Sequence, residues 1–379
     1  MSKVAIGITG QDGFIGWHLR NFLQLQAGVQ IVPFQREYFE DTDRLTDFVN
    51  SCSVIFHLAA VNRHEDDQIL YEINVELVKK LLSACADAVV KPHILFSSST
   101  QEALDNAYGQ SKRAGNNLFI DWANNDKGGT VTLMTIPNVF GPFCKPNYNS
   151  VVATFCHKLA NQQQPIILSD KQVDLIYVGD LVREMYRLAL IVNGQKVRKV
   201  TITPSVTRSV TDISAQLSYF KTTYLQNGVF PSLSQQFDRD LFNTFRCYIS
   251  DDHYPVKLKR NTDNRGTFIE ITRAESAGQF SYSTTMPGIT RGNHFHTRKA
   301  ERFAVIKGEA VIQLQKVGSN HVVHYHLNGN EPAYVDMPIW HTHNIKNVGE
   351  SELLTLFWIN EPYDPLDPDT YLLTIDDKK

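Results

Sequence analysis

The stretch Thr9-Gly10-Gln11-Asp12-Gly13-Phe14-Ile15-Gly16 closes a short apolar run, Val4 to Thr9, and opens a segment with helical spacing of apolar residues, Phe14 to Gln26. The glycines there have separate uses: one permits the tight turn, one lets backbone approach a pyrophosphate, and one lets the helix pack closely on the strand. A glycine triplet alone is weak, but this one follows the first strand of an alternating series. Gln30 to Phe34, Val54 to Leu58, His93 to Ser97 and Thr130 to Ile136 read as further strands, with Ile69 to Ala86 and Gly109 to Asn124 as helices. The expectation is an α/β doubly wound parallel sheet with Gly10, Gly13, Phe14, Ile15 and Gly16 around a dinucleotide pyrophosphate.

After Pro137 the pattern loosens into loops and isolated helices such as Asp180 to Val192, as in a small substrate lobe. From about Lys257 short alternating strands punctuated by Gly, Pro and Asn take over, which predicts an all-β sandwich or barrel. The polar stretch Cys247 to Pro255 is the expected boundary, giving domains 1–246 and 257–375. A length of 379 residues accommodates two such cores.

A net charge of -3 gives no electrostatic case for nucleic acid or an anionic membrane, and the expected partners are small molecules. No signal segment or long apolar run is read, so the expected location is cytoplasmic. Cys52, Cys85, Cys144, Cys156 and Cys247 are scattered and odd in number, so free thiols are expected.

Gln35-Arg36 follows the second strand, where an acidic residue would suit the ribose of NAD; the Arg36 guanidinium suits the 2'-phosphate of NADP(H) instead. Glu37 would be the ribose ligand if the strand ended later. Downstream, Tyr108 and Lys112 lie four apart, on one face of a helix, so the ammonium could lower the phenol's pKa and hold the nicotinamide ribose. Tyr108 could then give a proton to a carbonyl oxygen while hydride arrives at carbon, with Ser99 hydrogen-bonding the same oxygen.

Thr9 to Gly16, His57-Leu58-Ala59-Ala60, the serine run 97–99, Tyr108 with Lys112, Pro137 to Gly141 and Tyr177 to Asp180 resemble the extended short-chain dehydrogenase/reductases. The resemblance covers roughly residues 1 to 245. It implies a Rossmann-type fold, a nucleotide-sugar substrate, and Leu58 and Ala59 beside the cofactor. The short Ser99–Tyr108 spacing and Ile136, where many members offer an arginine, depart from that pattern.

In the second half, His294 and His296 are separated by one residue and face one side of a strand. Glu301 and His343 complete a set of three imidazoles and one carboxylate that suits zinc and other first-row divalent metals, zinc being the default. The spacing is similar to both motifs of the cupin (jelly-roll) superfamily, except that Trp340 stands where a glycine is common. His324 and His326 share a strand face without a carboxylate and read as solvated. Asp263 to Glu270 and Gln279 to Ser283 resemble sugar-nucleotide 3,5-epimerases, which act beside a ketone. Tyr282, Tyr325, Tyr334, Lys299 and Lys307 are all chemically able to serve as base, and the sequence does not choose.

The whole chain, including Cys144 to Ser150 and Asp369-Thr370-Tyr371, resembles the CapF (WbjC) family of bifunctional bacterial capsular polysaccharide enzymes. That resemblance implies a homodimer whose substrate is a UDP-linked 4-keto amino sugar. The cupin would epimerise carbon 3, and the first domain would reduce carbon 4 with NADPH to UDP-2-acetamido-2,6-dideoxy-L-talose. It assigns Tyr108 as proton donor, Lys112 as activator and Ser99 as carbonyl ligand, and His294, His296, Glu301 and His343 as metal ligands. Two alternatives stand beside it: a monofunctional reductase with a structural or dimerising cupin, and a redox sensor that binds NADP without turnover.

Overall fold

A computed structural model describes residues 3–126, 128–191, 194–264 and 266–375. The chain forms two compact units: the first runs to Thr154 and resumes over Ile167–Val210, and the second takes Phe155–Ile166 and the chain from Thr211 onward.

In the first unit the strands β1 (Val4–Thr9), β2 (Val29–Val32), β3 (Val54–His57), β4 (His93–Ser99) and β5 (Thr130–Ile136) alternate with helices α1 (Phe14–Gln24), α2 (Thr42–Asn50), α3 (Asp67–Asp87) and α4 (Ala107–Asn124). A small sheet of β6 (Asn138–Phe140), β7 (Gln172–Tyr177) and β9 (Val206–Ser209) follows, with α6 (Val178–Ala189) and β8 (Val197–Thr201) between, while α5 (Val151–Ala160) begins in this unit and continues into the second. The main sheet is parallel, in the order β2-β1-β3-β4-β5-β8. Covered on both faces, its inner strands are largely buried: in β3, Val54, Ile55, Phe56 and His57 all are. Side-chain caps start the helices, Asp66 accepting from Gln68 N–H and Ile69 N–H, and Asn106 from Gly109 N–H.

The doubly wound parallel sheet was legible, with small errors at element ends. The second strand ends at Val32, not Phe34, and the helix expected from Asp180 to Val192 runs Val178–Ala189, Val192 lying outside the described residues. Strand β8 was not anticipated, because it is an edge strand on which Arg198 and Lys199 interrupt the apolar signal.

The second unit contains α7 (Val210–Phe220), β10 (Val229–Phe230), α8 (Gln236–Arg246), then β11 (Val256–Lys257), β12 (Arg260–Asp263), β13 (Gly266–Ile269), β14 (Arg273–Ala274), β15 (Gln279–Thr285), β16 (Thr290–Phe295), β17 (Glu301–Lys307), β18 (Glu309–Lys316), β19 (Val322–Asn328), β20 (Ala333–Met337), β21 (His341–Asn347), β22 (Leu353–Ile359) and β23 (Tyr371–Leu372). Two antiparallel sheets, β11-β20-β17-β22-β15 and β19-β18-β21-β16-β23, form the all-β part. Their inward residues, among them Val305, Ile312, Tyr325, Val335 and Ile345, share one core. The segment Asp263 to Glu270 falls in the β12–β13 hairpin, Arg265 lying outside the described residues.

The boundary expected at Cys247 to Pro255 lies inside this second unit. Behind the β17–β20 sheet, Arg302 is buried and binds Asp336 through two bonds, Nε to Oδ1 at 2.7 Å and Nη2 to Oδ2 at 2.9 Å. The Tyr224 hydroxyl donates to Asp336 Oδ2 at 2.6 Å and meets the Tyr254 hydroxyl at 2.8 Å. Phe230 lies against Trp358, with ring centroids 4.4 Å apart. The stretch from Thr211 to Arg246, placed by sequence in 1–246, and the boundary stretch with Tyr254 therefore lie in the second unit.

Candidate functional site

The main sheet reverses order between β1 and β3, the point where open α/β sheets bind ligands beyond their strand ends. The glycine run sits there. Gly10 has φ +78°, and a Cβ on it would stand 2.8 Å from the Ala59 nitrogen; a Cβ on Gly16 would stand 2.1 Å from the Gly10 oxygen. Larger side chains would separate the turn from β3 and from α1. Gly13 caps α1, so Phe14 and Ile15 occupy its first turn, where N–H groups lack helical acceptors and favour an anion. Leu58 N–H donates to the Thr9 oxygen at 3.1 Å, holding Leu58 and Ala59 against the same turn. Arg36 is exposed and opens the Arg36–Glu40 turn after β2. His57 is a core histidine: its Nδ1 is 2.8 Å from Thr9 Oγ1, and burial lowers its pKa to about 3.

Ser99 ends β4, and Tyr108 and Lys112 start α4 on one face, Lys112 Nζ lying 5.4 Å from the Tyr108 ring centroid. The short link between them is a turn, Thr100–Ala103, packed so tightly that a Cβ at Gly109 would come within 2.2 Å of the Gln101 oxygen. Lys112 is not directed at the phenol as expected. It is buried and donates to the Ser97 carbonyl at 2.8 Å, and burial lowers its pKa to about 8. The phenol rises to about 12, from burial first and then from Tyr148. Tyr148 is the neighbour that sequence reasoning missed; nothing in Cys144 to Ser150 marks it.

Burial of Lys112 sets a pH dependence for the cofactor-free protein. Below about 8 both folded and unfolded chains hold the proton, and the folded one bears the whole penalty of a buried ammonium, about 3 kcal/mol. Between there and the free-lysine value of 10.5 only the unfolded chain holds it, so stability rises with pH. Lys112→Met removes the charge, and its advantage over wild type in urea unfolding should shrink between about pH 7 and about pH 10. An advantage equal at both values would refute the buried ammonium.

In the second unit His294, His296, Glu301 and His343 come together, their ligand atoms all within 4.8 Å of one another. A bulge between Gly292 and His294 sets His294 directly opposite His343, their ring centroids 4.6 Å apart. Glu301 Oε2 lies 3.1 Å from both His296 Nε2 and His343 Nε2. These three atoms are buried but not aligned as hydrogen bonds, so each lacks a hydrogen-bond partner. The outer ring nitrogens are held by carbonyls: His296 Nδ1 by Asp369 O at 2.5 Å, and His343 Nδ1 by His341 O at 3.2 Å. That arrangement places protons on Nδ1 and leaves Nε2 lone pairs facing the centre, as metal-binding imidazoles require.

Burial alone would raise the Glu301 carboxyl, but His296 and His343 outweigh it and hold it well below the usual range. Burial lowers His294 to about 4, helped by His343 and His296. Burial also opposes charge on His296, but Glu301 and Asp369 outweigh it, leaving its pKa raised. A cation would supply the positive charge that a proton on His296 otherwise provides.

Trp340 has φ +58°, which explains why glycine is common at its motif position. Its N–H donates to the His296 oxygen at 2.7 Å, and its ring stacks on Phe295 at 5.5 Å. Of the five candidate bases, two are exposed and three are engaged by other groups. Tyr282 is 70% exposed, Lys307 is exposed, and Tyr325 donates to the Asp251 oxygen at 3.2 Å. Tyr334 lies under Arg302 at 3.6 Å, and Lys299 donates to the Pro368 oxygen at 2.9 Å. Phe303 reaches the His343 ring, at 5.8 Å. His324 and His326 alternate outward from buried Tyr325 and Leu327 and line an open polar cavity of 420 Å³ with Gln313, Asn344 and Lys346.

Residues 6–202 match the NAD dependent epimerase/dehydratase family, and residues 261–371 match the family described as polysaccharide biosynthesis C-terminal domain. The UDP-2-acetamido-2,6-beta-L-arabino-hexul-4-ose reductase of Pseudomonas aeruginosa is 34% identical over 373 residues, covering 97% of this chain and 98% of the relative. The crystal structure of CapF, the capsular polysaccharide assembling protein of Staphylococcus aureus, superposes with a TM-score of 0.61 at 34% identity, covering 98% of this chain and 100% of that one. The spore coat polysaccharide biosynthesis protein SpsL of Bacillus subtilis is 26% identical over 134 residues, 32% of this chain and 87% of its own.

The fold and the first match define a member of the NAD dependent epimerase/dehydratase class that carries a C-terminal all-β domain. Within that class the chain belongs to the family of the P. aeruginosa reductase and S. aureus CapF. Among the described residues no helix is long and apolar enough to cross a membrane.

Proposed function

We propose that this chain reduces the 4-keto group of a UDP-linked 2-acetamido-2,6-dideoxy hexose with NADPH, and that its cupin part first epimerises carbon 3. The product would be UDP-2-acetamido-2,6-dideoxy-L-talose, made in the cytoplasm by a homodimer. The labour would divide along the sequence halves, 1–246 and 257–375. The observation that carries the reading is end-to-end identity of 34% to a reductase of such a ketone, on a chain in which Tyr108 and Lys112 share one face of α4.

NADPH supplies hydride when bound. Gly10, Gly13, Phe14, Ile15, Gly16, Leu58 and Ala59 hold its pyrophosphate side, and exposed Arg36 meets the 2'-phosphate. Tyr108, whose phenol stays protonated at neutral pH, gives its proton to the carbonyl oxygen. Ser99 donates to the same oxygen as charge develops. Lys112, a buried ammonium beside the Tyr108 ring, holds the nicotinamide ribose. In the cupin part His294, His296, Glu301 and His343 would hold a divalent metal, zinc by default, which would supply Lewis-acid chemistry or structural closure. His294 is half-buried while the other three are buried, so the centre opens on the His294 side.

A second reading rests on the same four ligands. A metal closed by four protein groups is characteristic of structural sites, and the chain would then be a reductase alone. The test is to incubate purified protein with the UDP-linked 4-keto sugar in deuterated water, with NADPH or NADH, and follow carbon 3 by NMR. NADPH-preferring reduction with deuterium at carbon 3, the latter abolished by chelation, is the expected result. Reduction with no deuterium or inversion at carbon 3 would leave the monofunctional reading.

A further inference from the structure

We infer that Asp369 is a positioning residue for the metal centre, one side chain and one carbonyl locking the loop that carries His296; this rests on the metal reading above.

The chain from Pro362 to Asp367 is exposed, and Thr370 is exposed again, yet Asp369 between them is only 2% exposed. Its φ of +42° lies in the left-handed region, which turns the residue inward. Three successive N–H groups converge on its carboxylate. Oδ1 accepts from Thr297 N–H at 3.0 Å and from the Thr297 hydroxyl at 2.6 Å, while Oδ2 accepts from Arg298 N–H at 3.0 Å and Lys299 N–H at 3.1 Å. A run of N–H groups of this kind is a binding concavity for an anion, and the bonds are strengthened by the charge.

The three donors, Thr297, Arg298 and Lys299, lie between His296 and Glu301, so the carboxylate holds the link between two ligands. The carbonyl of the same residue accepts from His296 Nδ1 at 2.5 Å, which orients the ring so that Nε2 faces Glu301 Oε2 at 3.1 Å. The segment carrying Asp369 is itself fixed on both sides. Arg298 pairs with Glu361 at 3.1 Å and with Asp367 at 2.8 Å, and β23 pairs with β16, Leu372 opposite His294. Asp369 thus links the closing strand to the geometry of the cluster without touching the ion.

The test compares wild type, Asp369→Ala, Asp369→Asn and His296→Ala as full-length proteins. Zinc affinity is measured against a chromophoric chelator, the visible bands of the cobalt-loaded forms are recorded, and urea unfolding is followed without metal. Wild type should bind zinc, and His296→Ala should lose it. Asp369→Ala should bind about 10- to 100-fold more weakly, and Asp369→Asn, which keeps one acceptor oxygen, should fall between, both with shifted cobalt bands. If wild type binds zinc while both Asp369 variants stay within about twofold of it with unchanged bands, Asp369 merely fastens the loop and the inference fails. If wild type itself takes up neither zinc nor cobalt, the metal reading fails first, and the inference with it. Should the alanine variant not fold, the asparagine variant alone decides.

Discussion

Tyr108→Phe should lower turnover of NADPH on the 4-keto substrate by roughly 10²- to 10⁴-fold, the contribution of a positioned general acid. The phenyl ring keeps the half-buried surface that Tyr108 presents beneath Lys112, whose nitrogen lies 5.4 Å from the ring centroid, so helix α4 should form as before. Lys112 keeps its bond to the Ser97 carbonyl at 2.8 Å, and the glycine turn is untouched, so cofactor affinity should change little. The loss therefore falls on kcat, because the proton is needed only as hydride arrives. Absorbance of NADPH under single-turnover conditions separates binding from chemistry. Deuterium exchange at carbon 3 should persist in this variant, since the proposed epimerase centre lies in the other unit. Turnover within tenfold of wild type would remove Tyr108 from its assigned role.

The second large effect concerns stability. Asp336→Ala should cost about 3–5 kcal/mol, because it leaves a charged guanidinium buried without its partner. Arg302 is 2% exposed and Asp336 is fully buried, so water cannot replace the lost bonds. The Tyr224 hydroxyl loses its acceptor at 2.6 Å in the same step. Replacing the pair together, Asp336→Leu with Arg302→Met, should recover much of the loss, since an apolar pair of similar volume carries no unpaired charge. Urea unfolding gives the magnitude, and amide exchange across Lys221–Gln226 should accelerate in Asp336→Ala, because Tyr224 anchors that turn. Asp336→Ala within about 1 kcal/mol of wild type would contradict the account of a buried anchor.

The three-histidine, one-glutamate cluster was readable because most of its members lie close together in sequence or on a strand face. His294 and His296 alternate on one side, Glu301 follows after a short loop, and only His343 comes from afar, on β21. The glycine turn and the Tyr108–Lys112 face were readable for the same reason, since strand and helix periods are local properties of the chain. The direction of the Lys112 ammonium was not, because the Ser97 carbonyl that captures it belongs to a neighbouring strand end.

By itself the sequence determined the parallel sheet, its glycine turn, the shared helix face of Tyr108 and Lys112, and the three-histidine, one-glutamate cluster, which follow from periodicity, short spacings and, for His343, a motif resemblance. Tertiary structure alone decided where the two units divide and what steadies the cluster. Tyr224 meets Asp336 across 112 residues, and His296 meets Asp369 across 73. A buried polar group takes its value from the partner that desolvation forces upon it, and that partner is chosen by packing, which no local pattern records.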